Sequence, residues 1–185
     1  MVIYGPAEDS YLLKNSLKDY LINLKDSSKK LKILDMGSGS GIQAKTVREL
    51  GFNNILTVDI NPEAVKHLKK IGFKSIQTDL FSKINKKDKF DIIIFNPPYL
   101  PEDKNEPKDS KLATTGGKEG YEIIIKFLEQ SKNHLNKNGI ILLLFSSLSN
   151  SNIIKKQAKQ LGYSLKLLNN QKLFFEELYV YELRN

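Results

Sequence analysis

Cysteine and tryptophan are absent from these 185 residues. Without cysteine there is no disulfide, no thiolate nucleophile and no cysteine-based zinc site. Histidine is nearly absent: His67 and His134 stand far apart in helical patterns, and two lone imidazoles do not make a metal site. No metal is therefore expected. Arginine is confined to Arg48 and Arg184, so lysine supplies nearly all of the 29 basic residues behind a net charge of +8. Nucleic-acid readers rely on the planar fork of arginine for phosphates and guanine edges, so this charge is weak support for an acidic or RNA-associated partner. No apolar run approaches the roughly 20 residues of a membrane span, and Met1 to Ala7 lack the basic-then-apolar layout of a secretory signal. The expectation is a cytoplasmic protein without membrane contact, in a single domain spanning 1–185.

What is present is an alternation. Leu31 to Met36 reads as a buried strand, Ile42 to Leu50 as a helix stopped by Gly51, and Asn54 to Ile60 as a second strand. Asn61-Pro62-Glu63 then supply a capping side chain, a first-turn proline and an early acid for a helix running to Ile71. Strands are expected at Lys74–Thr78 and Phe90–Phe95, followed by a helix over Tyr121–Leu135 with Gly139 at its exit. Ile140–Phe145 reads as a strand and Ile153–Leu161 as a helix. Two last strands, Tyr163–Leu168 and Leu173–Leu183, are expected to turn at Asn169-Asn170-Gln171 as an antiparallel hairpin. Residues 1–30 read as a helical segment opened by Pro6 to Ser10 and patterned by Tyr11, Leu12, Leu17, Leu21 and Ile22. Residues 101–118, rich in Pro, Lys, Asp and Gly, read as a mobile loop. Such alternation implies a mostly parallel sheet with helices on both faces.

Ligands of these sheets sit outside the carboxyl ends of the strands, and polar clusters fall at those ends. Asp35 is followed by Gly37, Gly39 and Gly41, a turn whose backbone can approach a ligand closely. A dinucleotide fingerprint wants a small residue three positions after its second glycine; Ile42 stands there, which argues against a nicotinamide dehydrogenase. Asp59, ending the second strand, can accept both hydroxyls of a ribose. Asp79, after the third, can accept from the exocyclic amine of an adenine. Taken singly, each has a plain alternative as a turn or capping residue.

Asn96-Pro97-Pro98-Tyr99 ends the fourth strand. Its two prolines fix the backbone and remove N–H donors. The Asn96 side-chain oxygen and the Pro97 carbonyl can then accept both hydrogens of an NH2 group, and Tyr99 offers a flat face to a planar amide or base. An amide nitrogen has a delocalised lone pair. Holding both hydrogens favours a tetrahedral nitrogen whose lone pair faces an electrophile, so positioning and electrostatics do most of the chemistry. All four residues are expected to bind substrate, with Asn96, Pro97 and Tyr99 catalytic.

That tetrapeptide resembles the one in amino-methyltransferases acting on adenine, cytosine or glutamine nitrogens. Together with Tyr4 to Ser10, Asp59-Ile60-Asn61-Pro62 and Gly116 to Gly120, it makes the chain similar to the HemK-type protein glutamine methyltransferases. Within them it resembles the short archaeal and eukaryotic branch, which modifies the Gly-Gly-Gln loop of the class I translation release factor. The resemblance implies an α/β Rossmann-like class I methyltransferase fold, with a mostly parallel seven-stranded sheet ending in an antiparallel hairpin. It implies S-adenosylmethionine as cofactor, held by Ser10, Asp35, Gly37, Gly39, Asp59, Asp79, Leu80 and Asn96. It implies a release factor as protein substrate and, after the eukaryotic branch, a small zinc-binding activator subunit along the sheet edge. The helical N-terminal domain of bacterial relatives has no counterpart within residues 1–30. The first alternative is N6-adenine methylation of RNA or DNA by the same four residues, with lysines on the phosphates. The second is a non-catalytic cofactor-binding scaffold, for which an intact Asn96–Tyr99 tetrapeptide has no use.

Overall fold

A computed structural model of the chain describes residues 3–24 and 30–185, with backbone alone for Lys108 and Asp109. Of the expected helical segment 1–30, residues 1–2 and 25–29 lie outside the described residues. The segment's helix, α1, spans Glu8–Ile22. There follow β1 (Ile33–Met36), α2 (Ile42–Glu49), β2 (Ile55–Asp59), α3 (Pro62–Lys70), β3 (Lys74–Gln77) and β4 (Phe90–Phe95). Asn61 opens α3 as its pattern predicts, its Oδ1 accepting the Glu63 N–H at 3.0 Å. Such a cap contributes about 1 kcal/mol.

The second half holds β5 (Leu100–Pro101), α4 (Lys108–Thr114), β6 (Thr115–Gly117), α5 (Glu122–Ser131), β7 (Leu135–Ser146), α6 (Ser151–Gln160), β8 (Ser164–Lys172) and β9 (Glu177–Arg184). Seven strands form one sheet in the order β3-β2-β1-β4-β7-β9-β8. Its pairs are parallel except β7 with β9 and β9 with β8. This is the class I methyltransferase architecture that the sequence implies.

Central strands buried on both faces explain the unbroken apolar runs. Along β4, Ile92 and Ile94 pack with Leu13 and Leu17 of α1 and Val47 of α2. Ile93 and Phe95 face the other way, towards Phe127 and Leu128 of α5 and Ile154 of α6. His134 packs as a ring, stacked on Phe81 with centroids 4.6 Å apart.

Four expectations need correction. Helix α5 ends at Ser131, one 3₁₀ turn follows over Lys132–His134, and β7 begins at Leu135 rather than Ile140. Gly139 is not a helix exit. It lies inside β7 where the register against β4 shifts, and a Cβ there would sit 2.8 Å from the Phe90 carbonyl oxygen. The C-terminal hairpin does not turn at Asn169–Gln171. Those residues continue β8 as far as the Lys172–Glu177 pair, and the chain turns over Leu173–Glu176. Strand pairing outweighs the turn preference of asparagine, and on an exposed edge strand polar side chains cost nothing. Residues 101–118, read as a loop, carry α4 and the two-stranded β5–β6 ladder. Among the described residues, no helix is long and apolar enough to cross a membrane.

Candidate active site

The strand order doubles back between β1 and β4, and such a switch point opens a crevice at the carboxyl ends. A cavity of about 600 Å³ lies there, within the size range of ligand sites. Ser10, Asp35, Gly37, Gly39, Asp59, Asp79, Leu80 and Asn96 all line it, as does Pro98. Pro97 and Tyr99 are not in its lining. Pro97 is buried, and Tyr99 is half-buried and packs against both core clusters.

The turn after β1 is tied to the end of β2. Gly39 N–H donates to Asp59 Oδ2 at 2.8 Å, and Asn61 N–H to Asp59 Oδ1 at 2.8 Å. Burial pushes the Asp59 carboxyl up from its usual range against the pull of these N–H groups. Asp35 is fully enclosed. Its Oδ2 accepts the Ala44 N–H at 3.2 Å, and burial pushes its carboxyl up to about 7. Gly41 starts α2 with a φ of +77°, a conformation that favours glycine. Asp79 Oδ2 pairs with Lys126 Nζ at 2.6 Å. The next residue, Leu80, is buried with a φ of +47°, a conformation bulky side chains adopt only where the surroundings impose it.

Asn96 is oriented by a residue the sequence pattern did not single out. Its Nδ2 donates to Asp9 Oδ2 at 2.9 Å. The other Asp9 oxygen accepts Ser10 N–H at 2.6 Å, Ser10 Oγ–H at 3.1 Å and the Tyr4 hydroxyl at 3.3 Å. The Ser10 hydroxyl, expected to face a cofactor, is thus a donor to Asp9. An ionised carboxylate only accepts, so the Asn96 amino group must face Asp9 and its oxygen must face away. That oxygen is buried and has no hydrogen-bond partner. Gln43 repeats the arrangement: its Nε2 donates to the Ser10 carbonyl at 3.0 Å, leaving a buried Oε1 without a partner. Each such acceptor costs about 1–3 kcal/mol until a donor arrives. Both residues contribute to the lining of the same cavity. Asp9 lies in the Tyr4–Ser10 stretch that carries part of the family resemblance, which is the one signal that could have found it. Gln43 carries no local signal.

The Gly116–Gly120 turn presses on the tetrapeptide from behind. A Cβ at Gly116 would lie 2.6 Å from the Pro98 carbonyl oxygen, and one at Gly120 would lie 2.5 Å from that of Tyr99. Burial first, then the Asp9 and Glu176 carboxylates, push the ionisation of the Tyr99 hydroxyl far upward, so Tyr99 is a neutral phenol.

Against known proteins, the chain is 38% identical to a protein of Methanocaldococcus jannaschii that bears the name protein N5-glutamine methyltransferase, over 96% of this chain and 89% of that one. The chain belongs to the protein N5-glutamine methyltransferase family. A release factor glutamine methyltransferase of Lactococcus lactis is 36% identical over 65% of this chain, which spans 48% of that relative's length. A chain of the E. cuniculi Mtq2–Trm112 complex, a complex responsible for the methylation of the eRF1 translation termination factor, superposes with a TM-score of 0.79. It is 25% identical, with 100% of this chain and 99% of that chain covered. The family profile of Eco57I restriction-modification methylases matches residues 69–176, and that of the ribosomal protein L11 methyltransferase matches residues 16–97. The first takes in more than half of the chain, including Asn96–Tyr99, so this N5-glutamine methyltransferase family member also falls within that methylase group.

It is an S-adenosylmethionine-dependent enzyme, and its cavity suits that cofactor. Carboxylates at three successive strand ends offer acceptors for hydroxyl and amino groups. Apolar Ile60, Leu80 and Phe95 form wall between them, and Gly37 and Gly39 line the turn without side chains of their own. When bound, the cofactor supplies a methyl group made electrophilic by its sulfonium. Among the described residues, no group of three or more His, Asp or Glu could hold a metal ion.

Proposed function

We propose that this methyltransferase modifies the side-chain amide of the glutamine in the Gly-Gly-Gln loop of a class I translation release factor. The observation that carries the reading is the buried, unpartnered Asn96 oxygen, aimed by Asp9. In this reading Asn96 Oδ1 and the Pro97 carbonyl accept the two amide hydrogens, Pro98 keeps the backbone rigid, and the Tyr99 ring backs the planar amide. Pro97 and Tyr99, outside the cavity lining in the free protein, reach the amide as the substrate loop enters. The nitrogen is thereby turned towards the methyl donor. No strong base is required, because the departing proton becomes acidic only as positive charge develops on nitrogen. Asp59 takes the cofactor's ribose hydroxyls and Asp79 its adenine amine. Ser10, Asp35, Gly37, Gly39 and Leu80 enclose the rest.

Residues 1–185 act as one catalytic domain in this reading, with segment 1–30 supplying the Asp9 wall. Segment 101–118, whose Glu102, Lys111 and Thr115 line the cavity, rearranges as the substrate loop enters. The names of the Lactococcus and E. cuniculi relatives support the release factor as substrate. The latter's complex supports a small activator subunit here, for which zinc is the expected structural metal. Such a substrate places the protein in the cytoplasm.

The Eco57I match favours one other reading, N6-adenine methylation of a nucleic acid. One experiment separates the two. Radiolabelled cofactor is offered with release factor, tRNA, rRNA and DNA in parallel, with and without a candidate activator. Label on the release-factor glutamine is expected, falling roughly 10²–10³-fold in Asn96→Ala, the scale of one lost transition-state contact. Label on adenine alone would transfer the assignment to nucleic acid.

A further inference from the structure

The turn joining β8 to β9 carries two nearly bare aromatic rings. Phe174 is 91% exposed and Phe175 83%, and the rings meet edge to face with centroids 4.6 Å apart. Leu173 beside them turns inward, onto the same core cluster that Tyr99 packs against. A turn meant for solvent uses Asn, Asp, Ser or Gly. Single exposed apolar residues need no explanation, but two adjoining rings at a tip invite aggregation unless a partner covers them.

The tip stands at the rim of the active-site end. Strand β7 runs parallel to β4, so its last residue, Ser146, lies at the carboxyl edge of the sheet. Ser146 Oγ donates to the Glu176 carboxylate, and the Glu177 N–H donates to Ser147 Oγ at 3.0 Å. The Leu173 N–H closes the turn on the Glu176 carbonyl at 2.8 Å. The 3₁₀ turn Ser147–Ser149 touches β5, directly after Tyr99, and its Leu148 is 42% exposed. Polar anchors therefore hold the two rings beside the wall where Asn96–Tyr99 stands.

We propose that Phe174 and Phe175 form a docking knob for the protein substrate, seating in an apolar depression next to the loop that bears the target glutamine. This rests on the release-factor reading. A cavity of about 600 Å³ that also takes the cofactor admits a few residues of a loop, so grip on a folded protein must come from outside it. Aromatic side chains fill that role at interfaces, and the flanking Lys172, Glu176 and Glu177 provide the polar rim that surrounds such anchors.

The test compares wild type with the F174A/F175A double variant on intact release factor and on a short Gly-Gly-Gln peptide. KM for the intact factor is expected to rise about tenfold or more, the scale of losing aromatic hot spots. Saturated kcat, cofactor affinity, melting temperature and peptide kinetics are expected to match wild type, with F174L/F175L in between. Where the peptide is too poor a substrate, the KM-against-kcat split on the intact factor decides alone. An unchanged KM for the intact factor overturns the knob. Equal losses on factor and peptide overturn it too, by making the rings part of the catalytic wall. A wild-type dimer in sedimentation that the double variant breaks apart assigns the rings to a second copy instead. With the candidate activator present throughout, wild type inactive on the intact factor overturns the release-factor reading and the knob together, whereas an indifferent variant overturns the knob alone.

Discussion

Asn96 and Asp9, 87 residues apart in the chain, are joined by a 2.9 Å hydrogen bond that decides which end of the Asn96 amide is left free. Asp9→Asn keeps the shape and removes that control. The introduced oxygen is claimed by the Ser10 N–H and hydroxyl, so the introduced amino group faces Asn96. Asn96 must then turn its own oxygen to meet it, leaving a donor where the proposed substrate contact calls for an acceptor. Turnover is expected to fall roughly 10²-fold, the loss from one misdirected transition-state contact, with cofactor affinity near wild type. Steady-state kinetics and calorimetry check both halves; full activity in the variant would remove Asp9 from the site.

Asp59→Ala is expected to act on the cofactor instead. A charge-assisted pair of hydrogen bonds is lost, worth about 1.5–3 kcal/mol, or roughly ten- to a hundredfold in affinity. Turnover at saturating cofactor should largely recover. Titration calorimetry that finds unaltered affinity rejects the ribose assignment.

Asp35 makes the free protein sensitive to pH. Burial raises its carboxyl from 3.8 to about 7, so between those values the folded chain keeps a proton that the unfolded chain has released. The stability it contributes is full below the lower value and is lost as pH rises through the upper one. Asp59, shifted the same way, adds to the trend. Without cofactor, wild type is expected to melt at a higher temperature near pH 5 than near pH 8 through these groups. Asp35→Asn should flatten the difference. Parallel profiles for the two proteins would show that Asp35 is not responsible.

Gly116→Ala places a methyl group 2.6 Å from the Pro98 carbonyl oxygen. Backbone must move on one side or the other, at a cost of about 1–3 kcal/mol for such overpacking. The expected result is a lower urea midpoint and reduced turnover, with cofactor binding retained. A variant as stable and active as wild type would show that this turn does not hold the tetrapeptide.

Local chemistry made much of this legible beforehand. Asn61-Pro62-Glu63 caps α3 because a cap depends on three adjacent residues, and Gly51 stops its helix for the same reason. The crevice residues from Asp35 to Asn96 were readable because each follows an apolar strand run, and strand ends converge in any open parallel sheet. Gly139 and Asn169–Gln171 misled because a turn preference of a few tenths of a kcal/mol loses to ladder pairing with a distant strand.

Fold class and cofactor type were thus contained in short stretches of residues. The direction of the Asn96 amide, the unpartnered Gln43 oxygen and the bare rings of Phe174 and Phe175 at the rim were not. Each depends on groups brought together from remote parts of the chain, and the hydrogen-bond geometry and burial that give them meaning exist only after the sheet and its covering helices have packed.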